Sequence, residues 1–141
     1  MSTYRDEMIE KCDTSIFSIL SAMSQGDRTT LLEAINLARN FDPNYTYLEV
    51  GSDLGGSIIA PLMDSRCSCA LSIDLRPPSQ PDERGVDFDF PDNSAARMRQ
   101  ILEDAGVSRG GMLKLQTFDA DVSSLTLADL GQMSRVAFID A

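Results

Sequence analysis

The fold is decided by residues 48–57, LEVGSDLGGS, in which an acid precedes a glycine-rich turn. The run 45–50 that leads into this stretch is rich in tyrosine, threonine, leucine and valine, as a buried strand would be, and it breaks at Gly51. Residues 58–62 then read as a short apolar helix, despite Pro61 near its first turn. The stretch therefore predicts a strand, a glycine turn and a helix in direct succession.

Strands and helices alternate along the rest of the chain. Apolar runs predict strands at 69–73, 112–118 and 135–139, and helical spacing predicts a helix at 94–105 with Gly106 near its C-cap. Before the first strand, the same spacing predicts one helix over 9–23 and a second over 30–41, started by a capping box of Thr30 and Glu33. The alternation favours a three-layer α/β sandwich with a mainly parallel sheet.

Composition limits the classes of protein that fit. A chain of 141 residues, 43% of them hydrophobic, predicts one compact unit. Its 22 acidic and 12 basic residues give a net charge of −10, which would repel a phosphate backbone, so nucleic acid is not an expected partner. The N-terminus has no apolar leader and no later run approaches the roughly 18 apolar residues of a membrane span. We therefore expect a cytoplasmic protein that does not contact a membrane.

The reactive residue types narrow the chemistry. Three cysteines, Cys12, Cys67 and Cys69, form an odd number, and the close pair is separated by one residue, so reduced structural thiols are expected. The sequence has no histidine, which excludes Ser-His and Cys-His nucleophile pairs and imidazole metal sites within this chain. Carboxylates are therefore the expected source of acid–base chemistry.

Every predicted strand carries an acid at or just after its carboxyl end, where ligands bind on parallel sheets. The acids are Glu49, Asp74, Asp119 with Asp121, and Asp140. Glycines let the backbone approach a ligand and adopt positive φ, and nearby carboxylates suit a ligand with positive charge. The spacing differs from the G-x-G-x-x-G of dinucleotide sites, and Glu49 and Asp53 would repel a diphosphate. The pattern therefore favours a sulfonium over a phosphate.

Glu49-Val50-Gly51 followed by Gly55-Gly56-Ser57 resembles motif I of class I S-adenosylmethionine-dependent methyltransferases, and Asp74 falls where that family keeps its ribose-binding acid. The resemblance covers about 46–141 and implies a Rossmann-like fold with S-adenosyl-L-methionine as cofactor. The cofactor-binding residues that it implies are Glu49, Gly51, Ser52, Gly55, Gly56, Ser57, Asp74, Leu75, Asp119 and Ala120.

The resemblance also implies a role for several of these residues. Asp74 would accept both ribose hydroxyls, Leu75 would lie against the adenine, and Asp119 with the next backbone amide would read the adenine edge. Glu49 would hold the loop and the ammonium side of the cofactor. One departure is Asp53, which replaces the middle glycine of the commoner G-x-G-x-G pattern.

The end of the sequence, Phe138-Ile139-Asp140-Ala141, resembles the fourth-strand motif that faces the substrate. The resemblance makes Asp140 the candidate catalytic residue. In a metal-dependent branch of the family the matching aspartate binds a divalent cation, so a divalent metal stays open without further support. Family members have strands beyond the fourth, so we expect a sheet truncated there, with an N-terminal helical segment at 1–44 and an incomplete cofactor-binding domain at 45–141.

The expected function is S-adenosylmethionine-dependent methyl transfer, with O-methylation of a small-molecule substrate as first choice, and with a homo-oligomer left open. One alternative is an NAD(P)-dependent oxidoreductase, whose strand-end acid would also bind ribose. Another is a non-catalytic cofactor-binding fragment that folds with a partner at the edge of its fourth strand. Glu49, Asp119 and Asp121 have a structural alternative as caps or turn residues. The proline-rich stretch 76–93 is expected to be a long, solvated acidic loop rather than a lid.

Overall fold

The computed structural model describes residues 2–82, 84–89, 91–131 and 136–139. Its strands are β1 Tyr45–Val50, β2 Cys67–Ile73, β3 Ser79–Pro81, β4 Asp87–Asp89, β5 Leu115–Phe118 and β6 Val136–Ile139. Its α-helices are α1 Tyr4–Glu10, α2 Gln25–Phe41, α3 Ile59–Met63, α4 Ala95–Asp104, α5 Arg109–Leu113 and α6 Leu127–Leu130, with 3-10 turns at Thr14–Ile16 and Val122–Ser124.

The main sheet has the strand order β5-β2-β1-β6, and each neighbouring pair is parallel. The chain adds β2 and β5 on one side of β1 and then crosses to add β6 on the other side. This reversal places the topological switch point, where such sheets bind ligands, between β1 and β6. The predicted α/β class with a mainly parallel sheet is confirmed.

One hydrophobic cluster spans the helical and sheet parts of the chain. It includes Ile9 from α1, Leu32 from α2, Tyr47 from β1 and Ile58 at the start of α3, all of them fully buried. The predicted boundary at residue 44 stays a prediction, and the residues on both sides of it share this cluster.

The predicted helices before β1 need correction. The helix expected over 9–23 is wrong, because α1 ends at Glu10 and Cys12 takes a left-handed φ of 52° that a helix cannot continue. The second helix begins at Gln25 rather than at Thr30. Its capping box is formed by Ser24, which accepts from the Asp27 N–H at 3.1 Å, while Asp27 accepts from the Ser24 N–H at 2.9 Å.

Later elements agree more closely with the sequence. β1 has the predicted bounds, α3 accommodates Pro61, and α4 follows its cap Ser94. The strand predicted over 112–118 starts only at Leu115, because Ser108 caps the short helix α5 ahead of it. The stretch 76–93 is not a plain loop, since β3 and β4 pair in it as an antiparallel hairpin.

A buried ionic network ties the helices to the amino-terminal edge of the sheet. The guanidinium of Arg39 lies 3.0 Å from Asp64, 3.2 Å from Glu10 and 3.5 Å from Asp6. The hydroxyl of Tyr45 donates to Asp64 at 2.7 Å. Burial would raise the pKa of Asp6, but hydrogen bonds from Thr3 and Ser65 outweigh it and lower that pKa to about 2.

Cys12, Cys67 and Cys69 are free thiols, in agreement with the expectation. Burial raises the pKa of Cys67 to about 12, so this thiol stays protonated and unreactive at neutral pH. Within the ranges that the structure describes, none of the helices is both long enough and apolar enough to cross a bilayer.

Candidate functional site

The carboxyl ends of β1, β2 and β5 meet residues 51–56, which we call the glycine bend. Register brings them together, since Ile73 pairs with Val50 on one side and with Phe118 on the other. The Gly51 N–H donates to the Ile73 carbonyl at 2.8 Å, and the Asp74 N–H donates to the Phe118 carbonyl at 3.1 Å. The structure therefore gathers the glycine bend, Asp74 and Asp119 at the edge of the sheet where the sequence predicts a site.

The glycine bend makes its turn with three left-handed residues. Gly51 has a φ of 86°, Asp53 of 45° and Gly55 of 92°. Aspartate tolerates this region better than most residues with a side chain, because its short polar group forms local hydrogen bonds. An aspartate therefore makes the left-handed turn at position 53, where the commoner pattern has a glycine.

Asp74 is held in a defined orientation next to the glycine bend. Its Oδ2 accepts from the Asp53 N–H at 2.8 Å, and its Oδ1 accepts from the Arg76 N–H at 2.7 Å. A carboxylate offers about four acceptor positions, so each oxygen can still accept a further hydrogen bond. The neighbouring Leu75 is 63% exposed and presents an apolar surface beside this carboxylate. The pair suits a ligand that has hydroxyls next to a flat apolar ring.

Gly55 and Gly56 are required by contacts within the protein. A Cβ on Gly55 would lie 3.1 Å from Leu102 of α4, and a Cβ on Gly56 would lie 2.4 Å from the Cβ of Ser21. Glycine at these positions thus allows α4 and the segment before α2 to pack against the bend. Their predicted contact with a cofactor stays a prediction, and it is not needed to explain why they are glycines.

Hydrogen-bonded polar side chains are buried on either side of the glycine bend and within it. Glu49 is fully buried, and its Oε1 accepts from the Tyr47 hydroxyl at 2.8 Å and from the Ser57 hydroxyl. Burial, followed by the nearby Glu49 carboxylate, raises the pKa of Tyr47, so its hydroxyl remains a donor. The buried Ser52 hydroxyl accepts from Ser72 at 2.6 Å. Glu49 thus connects β1 to Ser57, the residue that directly follows the glycine bend, and its predicted roles in holding the loop and in contacting an ammonium group stay predictions.

Asp119 and Asp121, the two acids that follow β5, make different contacts. Asp119 is 58% exposed, and its Oδ1 lies 3.6 Å from the Nε of Arg76. Asp121 caps the following 3-10 turn, accepting from the N–H of Ser123 at 2.9 Å, and its pKa is lowered by that bond and by one from the Ser123 hydroxyl. The capping alternative that the sequence left open therefore applies to Asp121.

The predicted adenine donor is already engaged. The Ala120 N–H donates to the Asp74 carbonyl oxygen at 3.1 Å. A bond from this amide to an adenine ring would have to share or replace that contact. The predicted role of Ala120 stays a prediction.

Sequence reasoning missed Arg76, which it assigned to the solvated loop. Its side chain is only 6% exposed, and its guanidinium donates to the Asp53 carbonyl and, at 3.1 Å, to Asn93. Next to it lies a cleft of about 660 Å³. The cleft is lined by Arg76, Pro78 and several residues between 91 and 100, and no residue of the glycine bend is among its lining residues. The available signal was the position of Arg76, two residues after a strand-end acid and directly before two prolines.

Asp140 and Ala141 lie outside the described residues, so the catalytic role of Asp140 stays a prediction. In the part of the chain that the structure describes, His, Cys, Asp and Glu side chains form no group of three or more that could hold a metal ion. The site built from described residues is therefore a set of positioning groups around one sheet edge.

Comparisons with known proteins identify the fold. No family model matches the sequence. No curated protein matches it either. The whole chain superposes on 55% of the crystal structure of a protein from Klebsiella pneumoniae that is assigned as an O-methyltransferase, with a TM-score of 0.54 and 16% sequence identity. A cyclopropane-fatty-acyl-phospholipid synthase-like protein from Lactobacillus casei aligns over 89% of this chain and 42% of its own, with a TM-score of 0.40 and 16% identity. The chain thus spans about half the length of the solved structures it matches.

Proposed function

We propose that this chain, which has the fold of class I S-adenosylmethionine-dependent methyltransferases, binds S-adenosylmethionine at the carboxyl edge of its sheet and supplies the cofactor site for methyl transfer. The observation that carries the proposal is Asp74, an oriented carboxylate with spare acceptor capacity at the end of β2, beside the glycine bend. In this proposal Asp74 accepts the two ribose hydroxyls.

The surroundings of Asp74 fit the other parts of the cofactor. Leu75, which is 63% exposed, would cover one face of the adenine, and the exposed carboxylate of Asp119 would accept from its amino group. The left-handed turn of the glycine bend would pass beneath the methionine portion, with Glu49 and Ser57 fixing it from the buried side. These residues bind and orient the cofactor, and none of them has to react with it.

The cofactor, when bound, supplies an electrophilic methyl group on a sulfonium. The share of the protein is to hold donor and acceptor close and aligned, which can lower a barrier by roughly 7 to 11 kcal/mol. We propose an oxygen of a small molecule as the acceptor, in keeping with the O-methyltransferase assignment of the Klebsiella pneumoniae protein. The net charge of −10 supports a substrate other than nucleic acid.

Calorimetric titration of S-adenosylhomocysteine into the purified chain tests the proposal. We expect binding by the unchanged chain, and an Asp74→Ala variant that binds more weakly by at least about 1.5 kcal/mol, because two hydroxyls lose a charged partner. Asp104→Ala is the matched control, since this exposed aspartate ends α4 and, among the described residues, accepts a hydrogen bond from Gln100 of the same helix at 2.9 Å. It should leave the affinity unchanged.

Two outcomes would contradict the proposal. Absence of S-adenosylhomocysteine binding by the unchanged chain, together with saturable binding of a nicotinamide dinucleotide, would indicate the oxidoreductase alternative. Equal affinities for the unchanged chain and the Asp74→Ala variant would remove Asp74 from the site.

A further inference from the structure

The guanidinium of Arg76 lies where four segments of the candidate site meet. Its Nη1 donates to the Asp53 carbonyl in the glycine bend and, at 3.1 Å, to Asn93 before α4. Its Nη2 lies 3.4 Å from the sulfur of Met98 in α4, and its Nε lies 3.6 Å from Asp119 after β5. Arg76 itself follows β2, so one side chain connects the glycine bend, two strand ends and a helix.

The backbone of Arg76 is adapted to this position. It has a φ of 58°, a left-handed conformation that costs a residue with a Cβ about 1–2 kcal/mol. In this conformation its N–H turns back to donate to Asp74 at 2.7 Å, while its side chain turns inward and becomes buried. Such a conformation persists only where the surrounding contacts determine it.

Arg76 also places a positive charge next to the two carboxylates of the candidate site. Its guanidinium lies within 4.0 Å of Asp74 and within 3.6 Å of Asp119, so both predicted adenosine-binding acids share one buried cation. A buried charge is stable only when it is paired and hydrogen-bonded. The Nη1 of Arg76 donates two hydrogen bonds, whereas its Nε has no hydrogen-bond partner among the described residues and has the Asp119 carboxylate nearby at 3.6 Å. Loss of the cation would leave two carboxylates that repel each other and a bend whose Asp53 carbonyl has lost its donor.

We infer that Arg76 is a positioning residue for the adenosine half of the cofactor site. It fixes the Asp53 carbonyl and balances the Asp74 and Asp119 carboxylates, so that they stand in the orientation that ribose and adenine require. The inference rests on the proposed function, because Asp74 is the group through which Arg76 acts. Arg76 is not itself assigned a contact with the cofactor.

Three variants of the full chain test this inference. Arg76→Met keeps the apolar stem and removes the charge, whereas Arg76→Lys keeps a charge without the planar fork. Arg84→Met is the matched control, because Arg84 is 74% exposed and pairs with Asp82 at 2.8 Å on the hairpin. Each variant is titrated with S-adenosylhomocysteine, unfolded with urea, and measured by amide hydrogen exchange without ligand.

We expect Arg76→Met to lower the affinity for S-adenosylhomocysteine roughly tenfold or more, and Arg76→Lys to restore part of that loss. Without ligand, the Asp53 amide, which donates to Asp74, should exchange faster in Arg76→Met while the amides of β1 exchange as before. Arg84→Met should match the unchanged chain in all three measurements.

Unchanged affinity and unchanged Asp53 exchange in Arg76→Met would overturn the inference while leaving the proposed function in place. Faster exchange throughout β1, with Arg76→Lys no better than Arg76→Met, would show a general structural role and would also overturn it. If the unchanged chain binds no S-adenosylhomocysteine, the proposed function fails first, and the cofactor role of Arg76 fails with it.

Discussion

Asp53 shows how one residue controls the turn on which the candidate site depends. Its φ of 45° is left-handed, and its N–H donates to the Asp74 carboxylate, so the bend and the strand-end acid hold each other in place. The sequence departs from the commoner G-x-G-x-G pattern here, because Asp53 replaces the middle glycine. The structure shows that the aspartate takes a left-handed conformation at this position.

Two substitutions of Asp53 separate the free-energy cost of its left-handed backbone from the contribution of its carboxylate. Both Asp53→Gly and Asp53→Ala remove the carboxylate, but only alanine carries a Cβ in the left-handed region. We expect Asp53→Gly to have a free energy of unfolding about 1 kcal/mol higher than that of Asp53→Ala, measured by urea denaturation. Equal stabilities of the two variants would mean that position 53 is not left-handed in solution.

Close packing, in addition to hydrogen bonding, holds secondary-structure elements together at the glycine bend. The segment between the 3-10 turn Thr14–Ile16 and α2 passes over the bend, so that Ser21 lies where a Cβ of Gly56 would be, at 2.4 Å. The N-terminal segment therefore forms part of the wall of the candidate site. Helical periodicity alone had assigned this segment to a continuous helix.

Gly56→Ala tests this packing between elements. The added methyl group would push Ser21 away, and we expect a loss of about 1–3 kcal/mol in the free energy of unfolding. Ser21→Gly opens the space, so the double variant should recover much of that loss in urea denaturation. A neutral Gly56→Ala variant, or additive effects of the two changes, would argue against the contact.

At the scale of the whole molecule, the carboxyl ends and the amino ends of the parallel strands form opposite edges of the sheet, and these two edges carry different groups of residues. The carboxyl edge carries the candidate site, and the amino-terminal edge carries the buried network around Arg39, which includes Asp6 and Asp64. Asp6 also accepts from the Ser65 N–H at 2.9 Å and so connects α1 to the segment before β2. The edge away from the site therefore anchors the N-terminal helices.

This anchor predicts a specific loss of stability in acid. The pKa of Asp6 is about 2 in the folded protein and 3.8 ordinarily, so its stabilisation is present above pH 4 and is lost as pH falls towards 2. The shift corresponds to about 2 kcal/mol. We expect Asp6→Asn to be less stable by about this amount at pH 6, and the difference to shrink as pH falls from 4 to 2.

Urea unfolding at several pH values measures this difference. Asp104→Asn serves as the control, because that aspartate is exposed at the end of α4. A gap between Asp6→Asn and the unchanged chain that stays constant from pH 6 to pH 2 would contradict the role given to the Asp6 charge.

Local patterns were sufficient for the elements that depend on neighbours in sequence. The bounds of β1 and the position of α4 follow from apolar periodicity, which short segments carry in themselves, and the parallel class of the sheet follows from the alternation of strands and helices. The same reasoning failed over 9–23, where apolar spacing typical of a helix belongs to buried residues on an irregular chain. Burial and helical geometry produce similar patterns over short distances.

Sequence patterns alone place acids at the strand ends and a glycine turn after β1, because strand ends and turns are local features. The contacts of these residues depend on how the whole chain packs, and local patterns do not predict them. Gly55 and Gly56 face α4 and Ser21, Ala120 donates to Asp74, and Arg76 turns inward between two acids. Such partners are far apart in sequence, and the packing of the whole chain, rather than any local preference, brings them within contact distance.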